Sequence, residues 1–151
     1  MLEHDFHESI GCWVVLTSRA FERALNDELA PHGITFPQWQ VLGWLAFDGE
    51  LTQAQLAQRM RVEAPTLVGI LDRMERDGWI LRQPAPDDRR KKLIRPCPKV
   101  QPVWETVMAA CRRVRARALQ GVEPADVEHV KNILQRIREN LNAEAAVEAA
   151  V

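Results

Sequence analysis

The chain is most readily bounded by what it lacks. Its 151 residues hold no apolar run near the roughly 18 residues that cross a bilayer. The opening MLEHDFHES has no charged-then-apolar leader pattern. No membrane partner is expected, and the cytoplasm is the expected compartment. Three cysteines, Cys12, Cys97 and Cys111, are an odd number at wide spacing. They fit neither a secreted disulfide framework nor a CxxC metal site, and reduced thiols are expected. His4, His7, His32 and His129 make no metal set. No glycine-rich phosphate loop, Ser/His/Asp arrangement or acid/base carboxylate pair can be argued from spacing. The expectation is no catalytic residue, no metal, no cofactor and no enzyme. Tyrosine is absent, whereas tryptophan occurs five times.

Net charge is also nearly absent, with 20 Lys+Arg against 21 Asp+Glu, but its distribution is uneven. Residues 59 to 99 carry eleven cations and six anions, a net of +5, which leaves −6 for the rest of the chain. Nucleic-acid affinity follows the local footprint rather than the whole-chain balance, so a basic middle flanked by acidic ends suits one DNA-facing module. At 46% hydrophobic and 27% charged, the chain can bury one good core.

The most informative stretch is EAPTLVGILDRMERDGWILRQPAPDDRRKKLIRPC, Glu63 to Cys97. Ala64, Leu67, Val68, Ile70, Leu71 and Met74 recur at helical spacing and define a face to be buried, with Thr66, Gly69, Arg73 and Arg76 opposite. Asp77-Gly78 stops this helix. Trp79 to Gln83 and Leu93 to Cys97 then read as two short strands around a tip that carries Arg89, Arg90, Lys91 and Lys92. Four consecutive cations on an exposed loop suit a polyphosphate.

Elsewhere helices predominate. Asp5 with Glu8 has capping-box spacing before a first helix of about five or six turns that ends near Ala30-Pro31-His32-Gly33. Thr35 with Gln38, and Thr52 with Gln55, repeat the device and open a second and a third helix. The third is followed after Arg61-Val62-Glu63 by the fourth, with Pro65 near its start; two short helices so joined form a helix-turn-helix. Val100 to Ala118 and Pro124 to Leu141 trace a fifth and a sixth helix, and the closing AEAAVEAAV is helix-compatible. Helices one, five and six have more apolar face than a small winged domain can cover, which predicts a dimer interface.

These features together resemble the MarR family of bacterial transcription regulators, above all its SlyA-like branch. The resemblance spans nearly all of residues 8 to 141 and is carried by ITFPQW (Ile34 to Trp39), EAPTLVGILDRMERDGWI (Glu63 to Ile80) and DDRRKK (Asp87 to Lys92). It implies a mainly α fold with a small β-hairpin wing, as a single MarR-like domain over 1-151. Within it, a winged helix at 35-98 binds double-stranded DNA, and a helical dimerisation region at 5-32 and 99-143 forms a homodimer. It further implies a repressor on a palindromic operator, released by a small anionic, aromatic-carboxylate or phenolic ligand. The other readings are an architectural, anti-silencing DNA binder of modest specificity and a winged-helix module that contacts protein instead of DNA.

By the same resemblance, Pro65 to Gly69 enter the major groove, with Thr66 on a phosphate or base edge and Arg73 nearer the backbone. In the wing, the family pattern of an aspartate, one residue, then an arginine fits Asp88 with Arg90, and Asp87 with Arg89 as well; the carboxylate holds the guanidinium that enters the minor groove, and Lys91 adds a phosphate contact. Three positions depart from the pattern. Gly69 stands where the SlyA-like branch tends to place a base-reading arginine. Arg61 stands where the turn often has glycine, so the turn must avoid a positive φ or strain the arginine, which is also placed for a phosphate. Pro96-Cys97-Pro98 replaces the usual Leu-Thr cap. A ligand pocket is expected around Trp13, Arg19, His32, Pro37, Trp39 and Gly43, with Arg19 gripping a carboxylate and an indole stacking on the ring. The thiol of the peroxide-sensing branch would fall at Gly11, so Cys12 reads as a buried, inert cysteine.

Overall fold

The computed structural model describes residues 8–86, 88 and 90–148, with side chains to 142. Asp5, His4, His7, Asp87 and Arg89 lie outside the described residues. Helix α1 spans Ile10–Leu29 and is opened by Ser9, whose Oγ accepts from the Cys12 N–H at 3.4 Å. The helix thus starts later than the Asp5/Glu8 spacing predicts, because the hydroxyl of Ser9 supplies the acceptor a first turn needs. Helix α2 (Phe36–Asp48) and helix α3 (Gln53–Met60) both begin with the expected capping boxes, Thr35 with Gln38 and Thr52 with Gln55. Helix α4 covers Ala64–Arg76, α5 Gln101–Ala118 and α6 Pro124–Glu148.

Three helix exits share one hydrogen-bond pattern. Around Gly33, Arg61 and Gly78, one N–H reaches back three residues and the next reaches back five: Ile34 to Leu29, Val62 to Ala57, Trp79 to Met74. This pattern requires a left-handed residue at the turn. Glycine supplies it twice, with φ of 68° and 74°; Arg61 supplies it at φ 52°, ψ 44°.

The wing strands are β2 (Ile80–Pro84) and β3 (Lys92–Pro96), antiparallel with Ile80 opposite Pro96 and Pro84 opposite Lys92. Both lie one residue from the expected bounds. Trp79 is held by the α4 exit, and Cys97 turns into the short 3₁₀ turn Pro98–Val100, although its N–H still reaches Trp79 O at 2.8 Å. No side chain caps that turn, as the Pro96-Cys97-Pro98 departure predicts. A third strand, β1 (Leu51–Thr52), pairs with β3, giving the order β1-β3-β2.

One buried cluster fills the winged helix: Leu45 of α2 and Leu56 of α3 meet Leu67, Ile70, Leu71 and Met74 of α4 beneath Ile80 and Ile94 of the sheet. A second joins Leu25 and Leu29 of α1 to Ile34 and to Val107, Ala110 and Val114 of α5. Trp79, Val103 and Trp104 pack against both. Two residues placed on the buried face of α4 depart from it: Ala64 is exposed and Val68 only half-buried. The first turn of α4 projects past the core, so the apolar stripe begins at Leu67. The chain divides into two compact units after Val114, the second holding the end of α5 and α6.

Candidate nucleic-acid interface

The projection of α4 defines the site. Ala64, Pro65 and Thr66 are exposed while Leu67, one residue on, is fully buried. The helix start is therefore anchored by its own core stripe and presented to solvent. Arg61, in its left-handed turn immediately before, is exposed as well. Farther along the outer face, Arg73 is exposed, and its Nη1 lies 3.9 Å from where a Cβ at Gly69 would stand. The guanidinium is folded back along the helix alongside Gly69, in the N-terminal direction helical side chains favour. Arg73 thus reaches toward the projecting turn rather than away from it.

Beside this helix stands the wing. Asp88 Oδ1 accepts from the backbone N–H of Arg90 at 3.0 Å and from its Nε at 3.3 Å, and the Arg90 side chain is 93% exposed. Asp88 thereby orients Arg90 without burying it. The alternative pair of Asp87 with Arg89 lies outside the described residues. The tip is closed by Lys91, whose N–H donates to Asp88 O and whose carbonyl accepts from buried Ala85. At the wing base, Arg82 donates from Nη2 to Asp72 Oδ1, its Nε lies 3.6 Å from Glu75 Oε2, and its backbone N–H donates to Glu75 Oε1 at 3.1 Å. Only 18% of that side chain is exposed, so it ties β2 to α4 and fixes the wing relative to the helix. Sequence reading missed Arg82; an arginine within the first wing strand with Asp72 and Glu75 on the preceding helix was the available signal.

Wing and helix-turn-helix meet at a concavity of about 640 Å³ lined by Thr52, Gln53, Ala54 and Gln55 at the start of α3, by Ala64, and by Arg90, Lys91 and Lys92. Lys92 and the α3 residues were not among the expected contacts.

Of the six residues expected to form a ligand pocket, two line one concavity together. Trp13 and Arg19 line a concavity of about 710 Å³ with Ser9, Gly11, Cys12, Val15 and Leu16, all on α1 or its cap. His32 is exposed in the turn after α1, and Pro37 and Gly43 are half-buried on α2. Trp39 is half-buried, its ring centroid 4.9 Å from that of Phe36, and packs against the α1–α5 cluster. Cys12 is half-buried rather than buried. A separate apolar cavity of about 160 Å³ is lined by Leu42, Leu45, Ala46, Pro96, Val100, Gln101 and Trp104. Among the described residues, no group of three or more His, Cys, Asp or Glu is placed to hold a metal ion, and no helix is long and apolar enough to cross a membrane.

Comparison with known proteins agrees with this geometry. The sequence model of the MarR family matches residues 32–91. A probable transcriptional regulator from Pseudomonas aeruginosa superposes with a TM-score of 0.73 at 26% identity, over 88% of this chain and 99% of that one. A mutant MarR from E. coli complexed with operator DNA gives 0.76 at 23% identity, over 89% and 99%. CouR from Rhodococcus jostii RHA1 bound to p-coumaroyl-CoA gives 0.74 at 24% identity, over 89% and 95%. The chain thus matches the MarR family through its helix-turn-helix and into its wing, and its fold is that of the solved MarR-type winged-helix structures.

Proposed function

We propose that this protein is a DNA-binding transcriptional regulator of the MarR type, within its SlyA-like branch, acting as a homodimeric repressor on a palindromic operator. One observation carries the reading. The projecting start of α4 and three consecutive wing cations line the same concavity, so a duplex that receives the helix in its major groove meets the wing at once. Thr66 and Arg73 read or brace the major-groove side, Arg90 enters the adjacent minor groove, and Arg61 and Lys91 neutralise phosphates.

The homodimer is supported by apolar side chains left in solvent. Ile10, Trp13, Leu16 and Phe21 on α1 are exposed, as are Val130, Ile133 and Leu141 on α6. Each of these two apolar faces, taken by itself, is suited to cover by a second copy. Release by a small anionic or phenolic ligand is proposed by analogy with the p-coumaroyl-CoA-bound relative. Here the concavity beside Trp13 and Arg19 offers an apolar wall and one cation for a carboxylate.

A second reading, an architectural binder of modest specificity, is favoured by Gly69 alone, which has no side chain to meet a base edge. Selection of binding sites from a pool of random duplexes separates the two. The repressor reading expects enrichment of an inverted repeat with half-site centres about 10 base pairs apart. Enrichment of A·T-rich duplexes without a repeat supports the architectural reading, and no enrichment contradicts both.

A further inference from the structure

The first turn of α2 accounts for its own hydrogen bonds except at one residue. Gln38 Oε1 accepts from the Thr35 N–H at 2.9 Å, Thr35 Oγ1 accepts from the Gln38 N–H at 3.4 Å, and Pro37 has no N–H to place. The N–H of Phe36 has no acceptor within its own helix. A residue of α1 takes it instead: Asn26 Oδ1 accepts from the Phe36 N–H at 3.3 Å. Helix α3 opens with the same capping box, yet among the described residues no side chain of another element accepts from its first turn. The Asn26 bond is therefore no part of the box and belongs to the join between α1 and the winged helix.

We infer that Asn26 is a positioning residue, a latch that fixes how the α1–α5 pair carries the winged helix and, through it, the half-site spacing that a dimer accepts. The inference rests on the homodimer reading above. The acceptor stands on a braced helix. Leu25 and Leu29, either side of Asn26, are buried with Val107, Ala110 and Val114 of α5, and Glu28 pairs with Arg113 of α5 at 2.6 Å. The donor opens the helix that supplies Val41, Leu42 and Leu45 to the winged core. Asn26 itself is half-buried in the last turn of α1, where alanine would suit the helix better, so its side chain serves α2 rather than α1. Moving a half-site by one base pair shifts it about 3.4 Å and rotates it by roughly a tenth of a turn. To meet it the winged helix must turn on the α1–α5 pair, and the Asn26–Phe36 bond opposes that turn.

The test compares the full chain with Asn26→Ala and Asn26→Asp, binding inverted repeats of the half-site recovered by the selection above. The repeats have the preferred spacing or are one base pair shorter or longer, and a single half-site serves as reference. Aspartate keeps an acceptor for the Phe36 N–H and alanine removes it. Asn26→Ala is expected to lose about 2- to 10-fold of the parent's preference for the best spacing, the range one hydrogen bond supplies. Asn26→Asp is expected to retain that preference, and both variants to bind the single half-site within about twofold of the parent, since Asn26 touches no DNA. A merely structural residue would instead weaken binding to every duplex alike. If Asn26→Ala keeps the parent's spacing preference, or weakens all duplexes equally, or if Asn26→Asp behaves as alanine does, the latch is refuted and the homodimer reading stands. If the parent itself shows no preference among spacings, the homodimer reading fails and takes the latch with it.

Discussion

At the scale of single residues, two positions balance folding against binding. Arg61 holds φ 52° where the two equivalent turns use glycine, a conformation that costs an L-residue about 1–2 kcal/mol. Arg61→Gly is expected to stabilise the fold by up to about 1 kcal/mol, the flexibility of glycine in the unfolded chain offsetting part of the gain. It should also weaken binding to any duplex and lower the salt slope by about one. Denaturant midpoints and a salt series read the two effects separately; a variant less stable than its parent would contradict strain at this turn. The sequence posed this alternative at Arg61 but could not decide it, because the choice depends on the hydrogen bonds of Arg61 and Val62 to the end of α3. Gly69 is a similar case. Its absent side chain was visible, but not that the Arg73 guanidinium folds back alongside it. Arg73→Ala is therefore expected to cost about 1–3 kcal/mol at the preferred site and much less on random DNA. Equal losses on both would return Arg73 to the backbone.

Among elements, the join between α4 and the wing decides whether two readers act as one. Arg82 is the tie: its side chain is mostly buried between β2 and α4, and it engages Asp72 and Glu75, which are themselves 58% and 43% exposed. Solvent screens such a cluster in part, so Arg82→Gln is expected to lower stability by about 1–2 kcal/mol, read as an earlier denaturant midpoint at unchanged slope. An unchanged midpoint would mean that the pairing contributes nothing. Helices were legible at this scale because Thr35/Gln38, Thr52/Gln55, Pro65 and Gly78 are local signals, each acting within one turn. Strand β1 was not legible, since two residues carry no periodicity and Leu51–Thr52 becomes a strand only by pairing with Ile94 and Leu93. The buried stripe of α4 was read correctly at Leu67, Ile70, Leu71 and Met74, and missed at Val68, which is half-buried. It failed at Ala64, where the pattern continues but no element covers it.

For the whole molecule, charge distribution is the property that sequence alone exposed best. A chain of net −1 carries its positive charge between residues 59 and 99, and the structure brings the cations of the wing beside the projecting turn of α4. The ligand pocket was the least legible part. Trp13, Arg19 and Trp39 were grouped through the family resemblance; Trp13 and Arg19 line one concavity on α1, and Trp39 packs half-buried against the α1–α5 cluster. Spacing along one chain does not show which aromatic rings a core will consume. The central claim concerns DNA, and the most direct measurement compares affinity for the duplex upstream of the protein's own gene with affinity for a random duplex of equal length, across a salt series. A preference of about 10³-fold or more with a steep salt slope is the predicted result. Failure to bind either duplex at low salt would contradict the account.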